Sequence, residues 1–172
     1  MQNNRILVIA ALIAGAIGLV LSYQIGLDSA ESTHAQQSVR FQTLSGKTVT
    51  EQDWQGNWVV VNYFAEWCAP CLKEIPELNA LHRRILDKQQ NIQLYAMSYD
   101  ALDEQQLFAL KQKYDMAFPL IRTQPNPLLP INKPKQLPAT FVISPDGEVL
   151  KTLWGEQTND GLWQVLQGFR EQ

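Results

Sequence analysis

The chain contains two cysteines, Cys68 and Cys71, separated by only two residues in the stretch Trp-Cys-Ala-Pro-Cys. Two thiols at this spacing can close into a disulfide and open again, and the thiolate is the attacking species in such an exchange. A disulfide across so short a loop removes little conformational entropy from the unfolded chain, so it adds little stability. The spacing therefore favours a redox-active pair over a structural one.

A strand and a helix are expected to position these thiols. Residues 58–65 form a continuous β-branched and aromatic run, which is typical of a strand covered on both faces. From about residue 70 to residue 88, apolar residues recur at helical spacing, at Leu72, Ile75, Leu78, Leu81 and Ile85. Cys68 would then lie at the N-terminus of this helix, where backbone N–H groups and the helix dipole favour a thiolate.

The two thiols are expected to play different parts. Cys71 lies one turn further into the predicted helix, so it should be less exposed than Cys68 and suits the resolving thiol that attacks a mixed disulfide. Pro70 fits the first helical turn, where no intrahelical N–H partner is needed. Cys68 is therefore predicted to be the nucleophile.

Strand-like and helix-like stretches alternate over the remaining chain. A strand and hairpin are predicted at 39–47, further strands at 92–99, 118–121, 139–144 and 148–154, and helices at 103–113 and 159–170. The Pro-Asp-Gly sequence at 145–147 indicates a turn between the last two strands. The pattern predicts an α/β fold with a central mixed β-sheet flanked by helices.

The N-terminus has a different composition. Residues 6–27 carry no charge, Arg5 precedes them, and this length matches a hydrocarbon core about 30 Å thick. We therefore predict a transmembrane anchor at 1–28, with a cleaved signal peptide as the alternative. The positive-inside rule would place the rest of the chain outside the cytoplasm, with a polar linker at 29–38 and one domain at 39–172.

The charge of the chain argues against one class of partner. A net charge of −3 and a pI near 5.4 leave no broad basic surface, so nucleic-acid binding is not expected.

Four features together resemble the thioredoxin fold family, and more narrowly its membrane-anchored TlpA-, ResA- and CcmG-type thiol–disulfide oxidoreductases. They are the Trp67-to-Cys71 motif, its place between strand and helix, Pro76 five residues after the second cysteine, and Pro138 in Gln-Leu-Pro-Ala-Thr. The resemblance covers about residues 39–170. It implies a cis-proline at Pro138 facing the cysteines, and client contacts through Trp67, Pro70, Leu137 and Pro138.

The chain departs from thioredoxin itself at one buried acid. Thioredoxin has an aspartate six residues before its first cysteine, where this chain has Asn62, which cannot titrate. Glu74, three residues after Cys71, is the replacement that the ResA-like proteins suggest for handling the proton of Cys71. Its alternative interpretation is a solvated helix carboxylate. Glu66 also matches a thioredoxin position, and we expect it to be mainly solvated.

The resemblance implies a reductant held at the inner membrane with its catalytic domain in the periplasm. Such proteins receive electrons from a membrane protein of the DsbD or CcdA type and reduce apocytochrome c or copper-assembly factors. No cofactor is expected beyond the redox-active Cys68–Cys71 disulfide.

A metal chaperone that binds Cu(I) or zinc through the same two thiolates is the alternative function. A closed zinc site needs four ligands, and two cysteines with two scattered histidines supply too few, so no metal site is predicted. The proline-rich segment at 124–136 leads into Pro138 and is either a client-contacting loop or an inert surface loop.

Overall fold

The computed structural model describes residues 39–171. The predicted anchor at 1–28 and the whole linker at 29–38 lie outside the described residues, so both stay predictions. Among residues 39–171 no helix is long and apolar enough to cross a membrane.

Seven strands and four helices make up the described part of the chain. The strands are β1 Arg40–Gln42, β2 Thr48–Thr50, β3 Trp58–Phe64, β4 Ile92–Ser98, β5 Leu120–Ile121, β6 Ala139–Ile143 and β7 Val149–Trp154. The helices are α1 Glu51–Trp54, α2 Ala69–Asp87, α3 Glu104–Lys113 and α4 Asn159–Arg170.

Five strands form the central sheet in the order β5-β4-β3-β6-β7, and β1 and β2 form a separate hairpin. Strand β3 pairs in parallel with β4 and antiparallel with β6, and β7 is antiparallel to β6. The sheet is therefore mixed, as predicted. The fold class is a thioredoxin-like α/β fold.

The central strand β3 is buried over its whole length because apolar layers cover both of its faces. Alternate side chains of a strand point to opposite faces. Trp58, Val60 and Phe64 pack in the layer that contains the apolar side of α2 and α4, whereas Val59, Val61 and Tyr63 pack in the layer with the β1–β2 hairpin. By this alternation Asn62 points to the α2 side.

One element was missing from the predicted pattern. Helix α1 spans only four residues, too few to show apolar periodicity, and it begins at a capping box between Thr50 and Asp53. The Asp53 carboxylate accepts hydrogen bonds from the Thr50 backbone N–H and hydroxyl, both at 2.9 Å. Burial of Trp54 then holds the turn against the second core layer.

Candidate active site

Cys68 is the N-cap residue of α2, four residues after the end of β3. Its Sγ accepts a hydrogen bond from the backbone N–H of Cys71 at 3.3 Å, and the two cysteines are joined by a disulfide. Cys68 is 6% exposed and Cys71 is fully buried, so Cys68 is the more exposed of the two cysteines, as predicted. Pro70 lies in the first turn of α2. The helix N-terminus therefore directs its unpaired N–H groups at Cys68.

A groove with a volume of about 400 Å³ opens beside Cys68. Its lining is formed by the motif itself and by two segments that are distant in sequence: Trp67, Cys68, Ala69, Pro70, Tyr99, Lys135, Gln136 and Leu137. Trp67 is 66% exposed, and its indole packs edge-on against Tyr99 with the ring centroids 6.0 Å apart. An exposed aromatic surface next to a reactive sulfur can receive a polypeptide.

The Leu137–Pro138 peptide bond is cis, and it immediately precedes β6. Strand β6 lies beside β3, which leads into the cysteine motif, and Leu137 lines the groove together with Cys68. The structure thus brings Trp67, Pro70 and Leu137 to one groove, with the buried Pro138 directly after Leu137. That these residues contact a client stays a prediction.

Glu74 is fully buried, so its interpretation as a solvated carboxylate is wrong. Its Oε1 accepts a hydrogen bond from Asn62 Nδ2 at 2.6 Å, and its Oε2 accepts one from the backbone N–H of Gln157 at 3.0 Å. The same Asn62 amide also donates to Thr140 Oγ1 at 3.0 Å. Two strands, the start of α2 and the loop before α4 therefore meet at one carboxylate.

Burial raises the pKa of Glu74 to about 7, and the hydrogen bonds from Gln157 and Asn62 oppose this rise. The nearby Glu156 carboxylate adds a smaller upward contribution to the same pKa. A carboxyl group poised near neutral pH can both accept and release a proton under ordinary conditions. The role of Glu74 in proton transfer stays a prediction.

Glu66 has the opposite environment. It is exposed, and its Oε1 accepts hydrogen bonds from Lys113 Nζ at 2.8 Å and Tyr114 Oη at 3.2 Å. The Lys113 hydrogen bond is the main cause that lowers the pKa of Glu66. The prediction that Glu66 is solvated is confirmed, and its low pKa makes it a poor base for a thiol.

Sequence reasoning missed several residues at the site. Tyr99 lines the groove, and Thr140 and Gln157 complete the hydrogen bonds around Glu74. Lys135 also lines the groove and belongs to the 124–136 segment, whose client contact stays a prediction. Thr140 had one available signal: it lies two residues after Pro138 on a predicted strand, so both side chains belong to the same face. Nothing local marks Tyr99 or Gln157.

Metal-binding geometry is not found in the described part of the chain. Across residues 39–171, no group of three or more His, Cys, Asp or Glu side chains is placed to hold a metal ion.

The AhpC/TSA family profile matches residues 32–152, which is well over half of the chain. The chain belongs to the AhpC/TSA family. Proteins similar in sequence to this chain include the thiol–disulfide oxidoreductase ResA from two strains of Bacillus cereus. The ResA of strain ATCC 10987 is 30% identical, and the match covers 96% of this chain and 97% of that protein. The ResA of strain ZK is 29% identical, and the match covers 97% of this chain and 98% of that protein. The chain is therefore a ResA-like thiol–disulfide oxidoreductase.

Solved structures show the same fold at lower identity. StoA from Bacillus subtilis aligns with a TM-score of 0.63 at 19% identity, over 75% of this chain and 96% of that one. An exposed lipoprotein thioredoxin from Streptococcus pneumoniae aligns with a TM-score of 0.65 at 20% identity, over 76% and 98%. A secreted thiol–disulfide isomerase from Corynebacterium glutamicum aligns with a TM-score of 0.63 at 16% identity, over 78% and 84%.

Proposed function

We propose that this thiol–disulfide oxidoreductase works outside the cytoplasm as a reductant of client disulfides. The observation that carries the proposal is the combination of a Cys68–Cys71 pair at a helix N-terminus with a buried carboxyl group, Glu74, one turn behind Cys71. A thiol that must lose its proton to attack needs a nearby acceptor, and a pKa of about 7 suits Glu74 to that task.

The reaction proceeds in two exchanges. The Cys68 thiolate attacks one sulfur of the client disulfide, forms a mixed disulfide and releases the other client sulfur as a thiolate. Cys71 then passes its proton to Glu74 and attacks Cys68 Sγ, which expels the second client sulfur. The two client thiolates take up the proton held by Glu74 and one proton from the solvent. The client has then gained two electrons and ends as a dithiol, and the protein ends with the Cys68–Cys71 disulfide.

The oxidised protein needs a source of two electrons for the next cycle. A membrane electron-transfer protein of the DsbD or CcdA type would supply them, with the predicted anchor at 1–28 holding the enzyme at the inner membrane. The exposed and secreted descriptions of two proteins with the same fold agree with a periplasmic or extracellular domain. Apocytochrome c and copper-assembly factors are the proposed clients.

Trapping in cells tests the roles of the two thiols. We expect full-length Cys71→Ser to accumulate mixed disulfides with its clients, because Cys68 can attack and nothing resolves the product. Cys68→Ser should trap nothing and lack exchange activity. Non-reducing gels and mass spectrometry of the captured adducts are the measurements. Adducts formed by Cys68→Ser but absent with Cys71→Ser would reverse the assignment.

The direction of electron flow needs a separate measurement. Acid quenching of cells followed by thiol alkylation should find Cys68 and Cys71 mainly reduced, since a reductant is kept charged by its donor. A mainly oxidised pair would indicate an oxidant instead.

Thiol titration and metal analysis of the purified protein test the alternative chaperone function, for which stoichiometric metal retained on the thiols would be the positive result.

A further inference from the structure

The groove beside Cys68 has an uneven charge. Of its eight lining residues, Lys135 is the one with a formally charged side chain, and the other lining side chains are aromatic, aliphatic, amide or thiol groups. Lys135 is exposed, and among residues 39–171 it forms no ion pair with a carboxylate. Its ammonium group is therefore available to a bound molecule.

Lys133 adds a second positive charge at the same place. Its Nζ lies 3.8 Å from the centroid of the Tyr99 ring, and Tyr99 lines the groove. Pro134, between the two lysines, is buried, so the segment is fixed to the domain while both lysines remain exposed. The interaction with the ring holds the Lys133 ammonium near the groove without neutralising its charge.

The carboxylates near the motif cancel only part of this charge. Asp100 Oδ2 accepts a hydrogen bond from Trp67 Nε1 at 2.9 Å, and because the indole is neutral, Asp100 keeps one negative charge beside the groove. Glu66 is paired with Lys113 at 2.8 Å. Within residues 39–171 neither Lys133 nor Lys135 forms an ion pair. Two ammonium groups therefore outnumber the Asp100 carboxylate at the groove, which leaves a local positive field beside the reactive sulfur in a chain with a net charge of −3.

We propose that Lys133 and Lys135 select client polypeptides that carry an Asp or Glu beside the cysteine to be reduced. This inference rests on the proposed function of the Cys68–Cys71 pair. An acidic side chain next to the client disulfide would meet the two ammonium groups as Cys68 attacks. The apolar surfaces of Trp67 and Tyr99 accept the neighbouring residues whatever their charge, so the lysines provide the discrimination.

The test uses full-length reduced protein and three matched disulfide peptides that differ only in an Asp, Asn or Lys beside the cysteine. Second-order rate constants are measured by acid quenching and mass spectrometry. Exposed ion pairs are weak, so the Asp peptide should react about 1.4- to five-fold faster than the Asn peptide at low salt. The Lys peptide should react more slowly than the Asn peptide. These differences should shrink as salt is raised, since the Debye length falls to about 3 Å at 1 M.

Variants identify the residues responsible. The double change Lys133→Gln and Lys135→Gln should abolish the preference, and the double change Lys133→Glu and Lys135→Glu should reverse it. Lys151→Gln is the matched control, because Lys151 is an exposed lysine of β7 that does not line the groove. The same preference in the wild type and the double variant would overturn the proposal. Glutathione disulfide is assayed as well, because its carboxylates belong to a small molecule. If the lysine substitutions slowed only the reduction of glutathione disulfide and not that of the Asp peptide, the proposal would also be overturned.

An uncharged disulfide separates this proposal from the proposed function. Because hydroxyethyl disulfide is uncharged, its rate measures any effect of the lysines on Cys68 itself. The rate with the Asp peptide divided by the rate with hydroxyethyl disulfide should fall in the double glutamine variant and stay unchanged in Lys151→Gln. An equal loss of rate with hydroxyethyl disulfide and the peptides would mean that the lysines act on the reactivity of Cys68, which would overturn client selection. If the wild type reduced none of the disulfides, the proposed function itself would fail.

Discussion

At the residue scale, the environment of Glu74 differs most from that of an ordinary helix carboxylate. Its two oxygens accept hydrogen bonds from Asn62 and Gln157, and the side chain has no exposed surface. In Glu74→Gln, the Asn62 amide can rotate and accept from the new amide, and the Thr140 hydroxyl can then donate to Asn62. The substitution therefore removes the titration while leaving a way to satisfy the network.

We expect Glu74→Gln to slow the step in which Cys71 resolves the mixed disulfide. A positioned proton-transfer group contributes about 10²–10⁴-fold, so even a tenfold loss is informative. In the wild type this rate should fall below a pH of about 7 as Glu74 becomes protonated, and the variant should lose that dependence. Stopped-flow measurement on a preformed mixed disulfide gives both quantities. Matching rates and pH profiles would leave water as the proton acceptor.

The same variant should change the pH dependence of stability. The folded pKa of Glu74 is raised from 4.5 to about 7, so the folded state binds more protons than the unfolded state between these values. Stability is therefore lost as pH rises from 4.5 through 7, by at most about 3 kcal/mol. Glu74→Gln should remove this loss, so at pH 8 the free energy of unfolding of the variant should be higher than that of the wild type. Denaturant titrations at pH 4.5 and 8 measure it, and equal pH slopes for both proteins would contradict the assignment.

At the element scale, α2 makes the two thiols unequal. Cys68 caps the helix and accepts the Cys71 N–H, while Cys71 faces the core with no exposed surface. Glu74, three residues after Cys71, is also buried on the same helix. The start of one helix thus places the proposed nucleophile, the proposed resolving thiol and the buried carboxyl group.

In the reduced protein, we expect iodoacetamide to alkylate Cys68 at least about tenfold faster than Cys71 at neutral pH. The reason is that the helix N-terminus favours the Cys68 thiolate and burial shields Cys71. Timed quenching and peptide mapping by mass spectrometry give the two rates. A globally unfolded sample is the control, since the two thiols should then react alike. Faster labelling of Cys71 in the folded protein would contradict the assigned roles.

At the scale of the whole molecule, the described groups of the redox site come from elements that are distant in sequence within residues 39–171. The motif, the groove lining and the partners of Glu74 come from β3, α2, β6, the segment before β6 and the loops that follow β4 and β7. All of these contacts are made between described residues, and we expect the site to form without the predicted anchor. Tethering would then affect delivery to clients and to the electron donor.

A protein that lacks residues 1–35 should therefore fold, remain soluble and reduce hydroxyethyl disulfide at about the rate of the full-length chain. Circular dichroism checks the fold, and a coupled reduction assay gives the rate. The full-length protein in detergent is the matched control. A folded truncated protein without activity would show that the thiol site depends on the N-terminal residues.

Much of the fold and the reactive pair could be predicted because their signals are local. The two-residue gap between the cysteines, the buried run at 58–65 and the helical spacing after it place Cys68 at a helix start. The described residues confirm these elements and the mixed sheet. Helix α1 was not predicted because four residues are too few to show a helical period.

The state of Glu74 and the shape of the groove were decided only by the tertiary structure. Glu74 meets Asn62 from 12 residues away and Gln157 from 83 residues away, so its burial and its pKa of about 7 arise from long-range packing. Tyr99 and Lys135 reach Cys68 through the sheet order and the segment before β6. The sequence by itself determined which atoms could exchange electrons, since that chemistry belongs to two adjacent thiols. Desolvation depends on every element packed around a group, and no local pattern records it.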